Sequence, residues 1–209
     1  MAKILITAGP TREFIDPIRF ITNQSSGRMG AALANAALEL SHDVLVVSGP
    51  VQISYPEAAQ VIFVQTTVEM DLAVAEAFST CDGIIGAAAP CDFRPLCRHE
   101  QKMKKNGLGI AIEFEETNDI LKRVSDSKRA GQWSVGFALE TDDGLENARR
   151  KMKEKKLDLI VLNGPEALNS SANQVRVISS HGIEIESSGA KTDVARDILK
   201  VIDEHLIGG

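Results

Sequence analysis

Cysteine, aromatic side chains and positive charge are all scarce in this chain. Its 209 residues include three cysteines, one tryptophan and one tyrosine, with an aromatic share of 4%. Cys81, Cys91 and Cys97 are odd in number and form no C-x-x-C pair, which excludes a secreted disulfide framework and leaves reduced thiols as the expectation. Cys91, Cys97 and His99 offer only three potential ligands at no finger spacing, so no metal ligand is assigned. Lysine and arginine total 23 against 29 acidic residues, a net charge of −6. A protein that coats nucleic acid or an anionic membrane needs the opposite balance, so neither partner is expected and any anionic ligand has to be caught locally. No apolar run approaches the ~20 residues of a membrane span, and the first residues read as a strand rather than a cleavable leader; a cytoplasmic location is the expectation.

What is present is enough apolar material, 44% of residues, to fill the core of one large domain. Lys3 to Thr7 is a short apolar run closed by Gly9-Pro10, the pattern of a buried strand. Asp43 to Ser48, Val61 to Gln65, Gly83 to Ala88, Ile110 to Glu115, Trp133 to Ala138 and Asp158 to Leu162 read the same way. Most are continuous rather than alternating, as strands covered on both faces should be. Helical patterns separate them: Gly30 to Leu40, Thr67 to Ser79 with Thr66 and Glu69 at capping-box spacing, Asn118 to Arg129 and Leu145 to Lys156. This alternation predicts an α/β fold with a doubly wound, mostly parallel Rossmann-like sheet. Gln174 to Ser179 and Ile183 to Ser187 flank Ser180-His181-Gly182, a hairpin signal that predicts an antiparallel C-terminal edge before a last helix from Thr192 to Leu206. No repeat or linker divides residues 1–209, so one domain is expected, with the basic, irregular stretch at about 90–109 as a binding flap.

Two segments follow strand ends and carry groups suited to phosphate. The first runs from Gly9-Pro10-Thr11-Arg12 through Asp16-Pro17-Ile18-Arg19 to Asn23-Gln24-Ser25-Ser26-Gly27-Arg28-Met29-Gly30. Small residues before a helix let backbone N–H groups and the helix dipole approach an anion. The G-x-G-x-x-G fingerprint and the P-loop G-K-[ST] are both absent, which separates this cradle from those two nucleotide motifs. The second segment, Ala87-Ala88-Ala89-Pro90-Cys91-Asp92-Phe93-Arg94-Pro95, leads to Lys102, Lys104 and Lys105. That compact positive cluster suits a polyphosphate. Asp92 either holds a ribose hydroxyl or caps the loop.

Taken together, I-T-A-G-P-T-R-E-x-I-D-P-I-R-F-I-T-N-Q-S-S-G-R-M-G, A-A-A-x-x-D-F-R-P, K-x-K-K, G-F-A-L-E-T and L-D-L-I-V-L-N resemble phosphopantothenoylcysteine synthetase in order and over nearly the whole chain. The resemblance is to a stand-alone form of the C-terminal half of the bifunctional coenzyme A biosynthesis flavoprotein. It implies a ligase that joins 4′-phosphopantothenate to cysteine through an acyl-nucleotidylate formed from CTP or ATP with Mg²⁺. It further implies a homodimer and a separate flavin-dependent decarboxylase as a partner. By the same resemblance Lys102, Asn23 and Arg19 are catalytic. Gly9, Ser26, Gly27, Met29, Gly30, Ala88, Asp92, Lys104, Lys105, Phe137 and Asn163 bind nucleotide, although Phe137 equally suits a core position. The chain departs from the family pattern at Pro90-Cys91, at Gly164-Pro165 after Asn163, and at Ser170-Ser171-Ala172-Asn173.

Two other readings share the fold. A short-chain oxidoreductase needs Tyr-x-x-x-Lys, and Tyr55 is followed at that spacing by Ala59. A non-catalytic nucleotide-binding module would have no use for both Asn23 and Lys102.

Overall fold

The computed structural model describes residues 1–105, 107, 109–139, 143–164 and 172–208. Six apolar runs become the strands β1 (Lys3–Ala8), β4 (Asp43–Ser48), β5 (Gln60–Phe63), β6 (Gly83–Gly86), β9 (Trp133–Leu139) and β10 (Leu159–Asn163), all parallel to one another. The C-terminal hairpin of β11 (Ala172–Ser179) and β12 (Gly182–Ala190) adds two antiparallel strands beside β10. The resulting order is β12-β11-β10-β9-β6-β1-β4-β5. The expected doubly wound sheet with an antiparallel edge is therefore what forms, and strand order reverses between β1 and β6.

Alternation along β1 divides the core. Ile4 and Ile6 point to the side covered by α1 (Arg28–Glu39) and α5 (Lys191–Ile202), with Leu33, Ala37, Ile198 and Leu199. Leu5 points to the opposite side, against Met70 and Val74 of α2 (Thr67–Phe78) and Ile120 and Val124 of α3 (Ile120–Asp126). Ile160 and Leu162 extend that second layer beneath Ala148 of α4 (Gly144–Glu154). Every second side chain is thus apolar towards each layer, which is why the strands read as unbroken hydrophobic runs. The capping-box spacing at α2 is also real. The Thr66 hydroxyl accepts from the Glu69 N–H at 3.1 Å, and the Glu69 carboxylate accepts from the Gln65 N–H at 2.8 Å.

Three expectations need correction. Ile110 to Glu115 is not a sheet strand; only Phe114–Glu116 (β8) is extended, and it pairs with Phe93–Pro95 (β7) in a separate ribbon. Its Ile110 and Phe114 are exposed, so an apolar composition alone misled. The Val61 to Gln65 run shifts to Gln60–Phe63 and lies at the sheet edge, with Phe63 70% exposed. The third is an omission: Arg12–Phe14 (β2) and Phe20–Thr22 (β3) form a short antiparallel hairpin inside the first glycine-rich segment. No helix of the described residues is long and apolar enough to cross a membrane.

The glycines of the first segment are fixed by close approach. Gly9 and Gly27 have φ of 73° and 74°, and a Cβ on either would meet the same Val51 methyl, at 2.6 and 2.7 Å. Gly30 brings α1 onto β1, where a Cβ would lie 2.4 Å from the Ala8 Cβ. Helix propensity favours Gly→Ala by about 1 kcal/mol, but forcing a methyl between helix and strand backbones costs about 1–3 kcal/mol. Overpacking wins, and Gly30→Ala is expected to lower the urea unfolding midpoint, with an unchanged denaturant slope.

Candidate active site

The sheet reversal opens a crevice at the carboxyl ends of β1 and β6, where ligands of open α/β sheets bind. The two strand-end loops stay joined beyond the sheet. The Ala87 N–H donates to the Thr7 carbonyl at 3.2 Å, the Ala88 N–H to the Thr7 hydroxyl at 3.3 Å and the Ala89 N–H to the Gly9 carbonyl at 2.9 Å. Past them, the Cys91 N–H donates to the Thr11 hydroxyl at 2.8 Å. These four N–H groups are therefore committed within the protein, and Pro90 has none. What the segment offers is carbonyls: Asn23 Nδ2 donates to those of Ala89 and Pro90 at 3.3 and 2.9 Å.

A cleft of about 560 Å³ lies over this seam. Of the sequence-predicted residues, Asn23, Ser26, Gly27, Met29, Gly30, Ala88, Asp92, Phe137 and Asn163 all line it. Gly9 lies directly beneath, its Cα 3.6 Å from where a Gly27 Cβ would stand. Phe137 is half-buried and touches both the core and the cleft, so its two readings coexist. A smaller cavity of about 300 Å³ shares Ala88, Pro90, Asp92 and Phe137 with the first. Arg19, Lys102, Lys104 and Lys105 are not among the residues lining either space. The three lysines are exposed on the stretch after β7, and Arg19 is paired with Asp16. Glu140, Thr141, Pro165, Ser170 and Ser171, from the motifs and departures noted above, lie outside the described residues, as do Asn106 and Leu108 of the flap.

The cradle is positive for a reason that the loop sequence hides. Gly27 caps α1 without a side-chain bond, and no acidic residue occupies the first turn, so the dipole and first amides face the cleft uncompensated. Arg28 and Lys191 are the first residues of α1 and α5, and both line the cleft. A cation at a helix N-terminus opposes the dipole. Two of them in one cleft concentrate positive charge there, and that placement is the signal a sequence reading could have used. Burial, and then the neighbouring Arg28 charge, hold the Lys191 ammonium below the usual lysine value. Asn173 was also missed as a contact. It donates to Asn163 Oδ1 at 3.1 Å, while its own buried Oδ1 meets no donor among the described residues. A buried acceptor in that state is open to a donor from water or from a ligand.

The remaining candidates resolve simply. Cys91 is buried, its thiol donating towards the Thr11 carbonyl, and burial pushes its pKa up. Among the described residues no group of three His, Cys, Asp or Glu side chains is placed to hold a metal. The Tyr55 hydroxyl is hydrogen-bonded to Ser48 at 2.7 Å, outside the residues lining the cleft.

Residues 1–206 match the family described as DNA/pantothenate metabolism flavoprotein C-terminal domain. The chain belongs to that family. It is 42% identical over 205 residues to the coenzyme A biosynthesis bifunctional protein CoaBC of Bacillus subtilis, covering 95% of this chain and 50% of the relative. It is 43% identical over 206 residues to a cysteine/cysteine sulfinic acid decarboxylase of an unknown prokaryotic organism, covering 96% and 57%. The chain therefore spans about half the length of the curated relatives it matches. A crystal structure of a CoaBC C-terminal domain superposes with a TM-score of 0.85 at 39% identity, covering 99% and 96% of the two chains. A Cab2 mutant in complex with phosphopantothenate-cysteine shares the fold at 16% identity and a TM-score of 0.79, covering 99% and 88%. The family resemblance read from the motifs is thus borne out, and the glycine-rich segment of this chain forms part of the cleft wall.

The negative charge of a triphosphate seated beside Lys191 outweighs the Arg28 repulsion that helps lower its pKa. The ammonium form is then favoured, so binding takes up a proton in alkaline solution and weakens as pH rises. Lys191→Gln is expected to remove that proton uptake and to weaken inorganic triphosphate binding about tenfold, the effect of one charge-assisted contact. Calorimetry in two buffers of different ionisation enthalpy reads both.

Proposed function

We propose that the chain, as one nucleotide-binding domain, is a phosphopantothenate–cysteine ligase that uses CTP or ATP. The observation carrying this reading is the cleft at the β1–β6 reversal. There an uncapped helix N-terminus, Arg28 and Lys191 present positive charge beside Asn23 and Asp92. Family membership and the 42% identity to a bifunctional coenzyme A biosynthesis protein support the choice of substrates.

The reaction runs in two steps. A carboxylate oxygen of 4′-phosphopantothenate attacks the α-phosphorus, forming the acyl–phosphate bond as pyrophosphate leaves. The cysteine amine then attacks the acyl carbon, loses a proton, and expels the nucleoside monophosphate. Negative charge accumulates on phosphoryl oxygens in the first step, where fixed donors act most strongly. The α1 amides, Arg28 and Lys191 receive the phosphates, and Lys102, assisted by Lys104 and Lys105, brings its charge from the flap. Asn23 engages the acyl group by exchanging its weaker 3.3 Å contact with Ala89 for the substrate. Asp92 and Phe137 adjoin the nucleoside. Asp92 is the single carboxylate among the described residues that line the cleft, which fits Mg²⁺ carried on the nucleotide phosphates rather than in a protein cage. When bound, the ion neutralises phosphate charge. A homodimer and a cytoplasmic setting complete the proposal.

Pyrophosphate release tests it, measured with Mg²⁺, 4′-phosphopantothenate and cysteine in parallel CTP, ATP and nucleotide-free reactions. Release that depends on phosphopantothenate is expected with one nucleotide. No release with either, from folded protein, overturns the ligase. Lys102→Gln is expected to lower the rate of adduct formation at least tenfold while changing substrate binding little, because its charge is needed most in the transition state. An unchanged rate removes Lys102 from the mechanism.

A further inference from the structure

The lysine flap has a fixed point, and it is a buried carboxylate. Asp16 is 0% exposed. Its Oδ1 accepts from the Ile18 and Arg19 N–H groups at 2.9 and 2.8 Å, closing the turn between β2 and β3. Its Oδ2 accepts from Arg19 Nε at 2.9 Å, from Arg19 Nη2, and from the Met103 N–H at 3.1 Å. Arg19 Nη2 also donates to the Met103 carbonyl at 2.9 Å. Both polar groups of one peptide residue, between Lys102 and Lys104, are therefore held by a pair more than eighty positions away. Two nearby contacts run the same way: the His99 N–H donates to the Ile15 carbonyl at 2.9 Å, and the Arg98 guanidinium sits 4.9 Å from the Phe14 ring centre.

Asp16 does not tie its hairpin to the core. Among the described residues, its one partner outside its own turn is Met103. Residues 102–105 have no regular secondary structure, and fixing such a segment costs about 1–2 kcal/mol per residue in backbone entropy. A charge-assisted clasp supplies the order that local structure does not. The segment bearing Asp16 continues into Asn23, itself bound to Ala89 and Pro90. One hairpin thereby registers both the flap and the cleft.

We propose that Asp16 is a positioning residue that sets the place of Lys102 through Met103, with Arg19 as the second half of the clasp. The proposal rests on the ligase reading for its kinetic consequence but not for its geometry. In an Asp16→Asn variant the new amide NH2 faces either the Ile18 and Arg19 N–H groups or the Arg19 guanidinium and Met103 N–H, so the carboxylate charge is lost and one of the two acceptor sets is replaced by a donor at nearly constant side-chain size. In the complete chain, hydrogen exchange of residues 99–105 is expected to accelerate at least tenfold while that of α1 is unchanged. The turnover number is expected to fall at least tenfold with the KM for 4′-phosphopantothenate within twofold. The Asp16→Asn/Lys102→Gln double variant should be only slightly slower than Lys102→Gln alone, because the ammonium that the clasp positions is already gone and only the assisting Lys104 and Lys105 remain to be misplaced. Unchanged exchange at 99–105, or losses that multiply in the double variant, overturns the clasp. Should Asp16→Asn not fold, an amide-to-ester replacement at Met103 deletes the one donated proton and leaves every side chain in place; the same readouts then decide. Absence of turnover in the unmodified chain sinks the ligase reading, whereas the exchange experiment needs no substrate and judges the clasp by itself.

Discussion

The seam between the β1 and β6 loops is the constraint on which the site depends. Parallel strands normally diverge once their ladder ends, and here the order reversal sends their following segments to opposite faces. The Thr7 backbone and hydroxyl, the Gly9 carbonyl and the Thr11 hydroxyl instead carry the pairing on to Cys91. That extension holds the floor of the cleft rigid and places Asn23 over two carbonyls. It also explains why so many small residues occur together: alanines at 87–89 and glycines at 9, 27 and 30 let three backbones converge where larger side chains would separate them.

Much of the sheet was legible because its strands are buried on both faces, so composition alone marked them. The elements that misled or escaped lie where that condition fails. Ile110 to Glu115 is apolar yet mostly exposed, and β2 and β3 are three residues each, too short for a periodic signal. Within the site, the glycine-rich wall was readable as a contiguous motif. Lys191 and Asn173 were not, because they come from the C-terminal elements that fold back against α1 and β10. Arg28 sat in plain view inside the motif, but its meaning depends on where a helix begins, and helix ends are the least certain part of a sequence reading.

Two forms of order meet in this protein. The floor of the cleft is built from backbone and threonine-hydroxyl bonds close to the core, and the lysine-bearing stretch is held at isolated points, chiefly by the Asp16 and Arg19 side chains. Stability within one structure is uneven in this way when binding surfaces are drawn from its less protected parts. A buried carboxylate at the junction is costly unless every oxygen is met by donors, and the turn between β2 and β3 provides most of them from its own four residues. The remaining donor comes from the flap, so the charge is fully satisfied when the flap is in place.

The shared wall beneath Gly9 and Gly27 bears on how such a sequence can drift. Both glycines would direct a new methyl at the same Val51 carbon, so three positions far apart in the chain form one unit of acceptance. A shorter residue at 51 would relieve crowding at both, but the left-handed backbone at each would still penalise a side chain. Single-step paths out of this arrangement are therefore closed at the glycines and open at Val51. Among descendants, variation at residue 51 should come first, and any change at either glycine should be contingent on it.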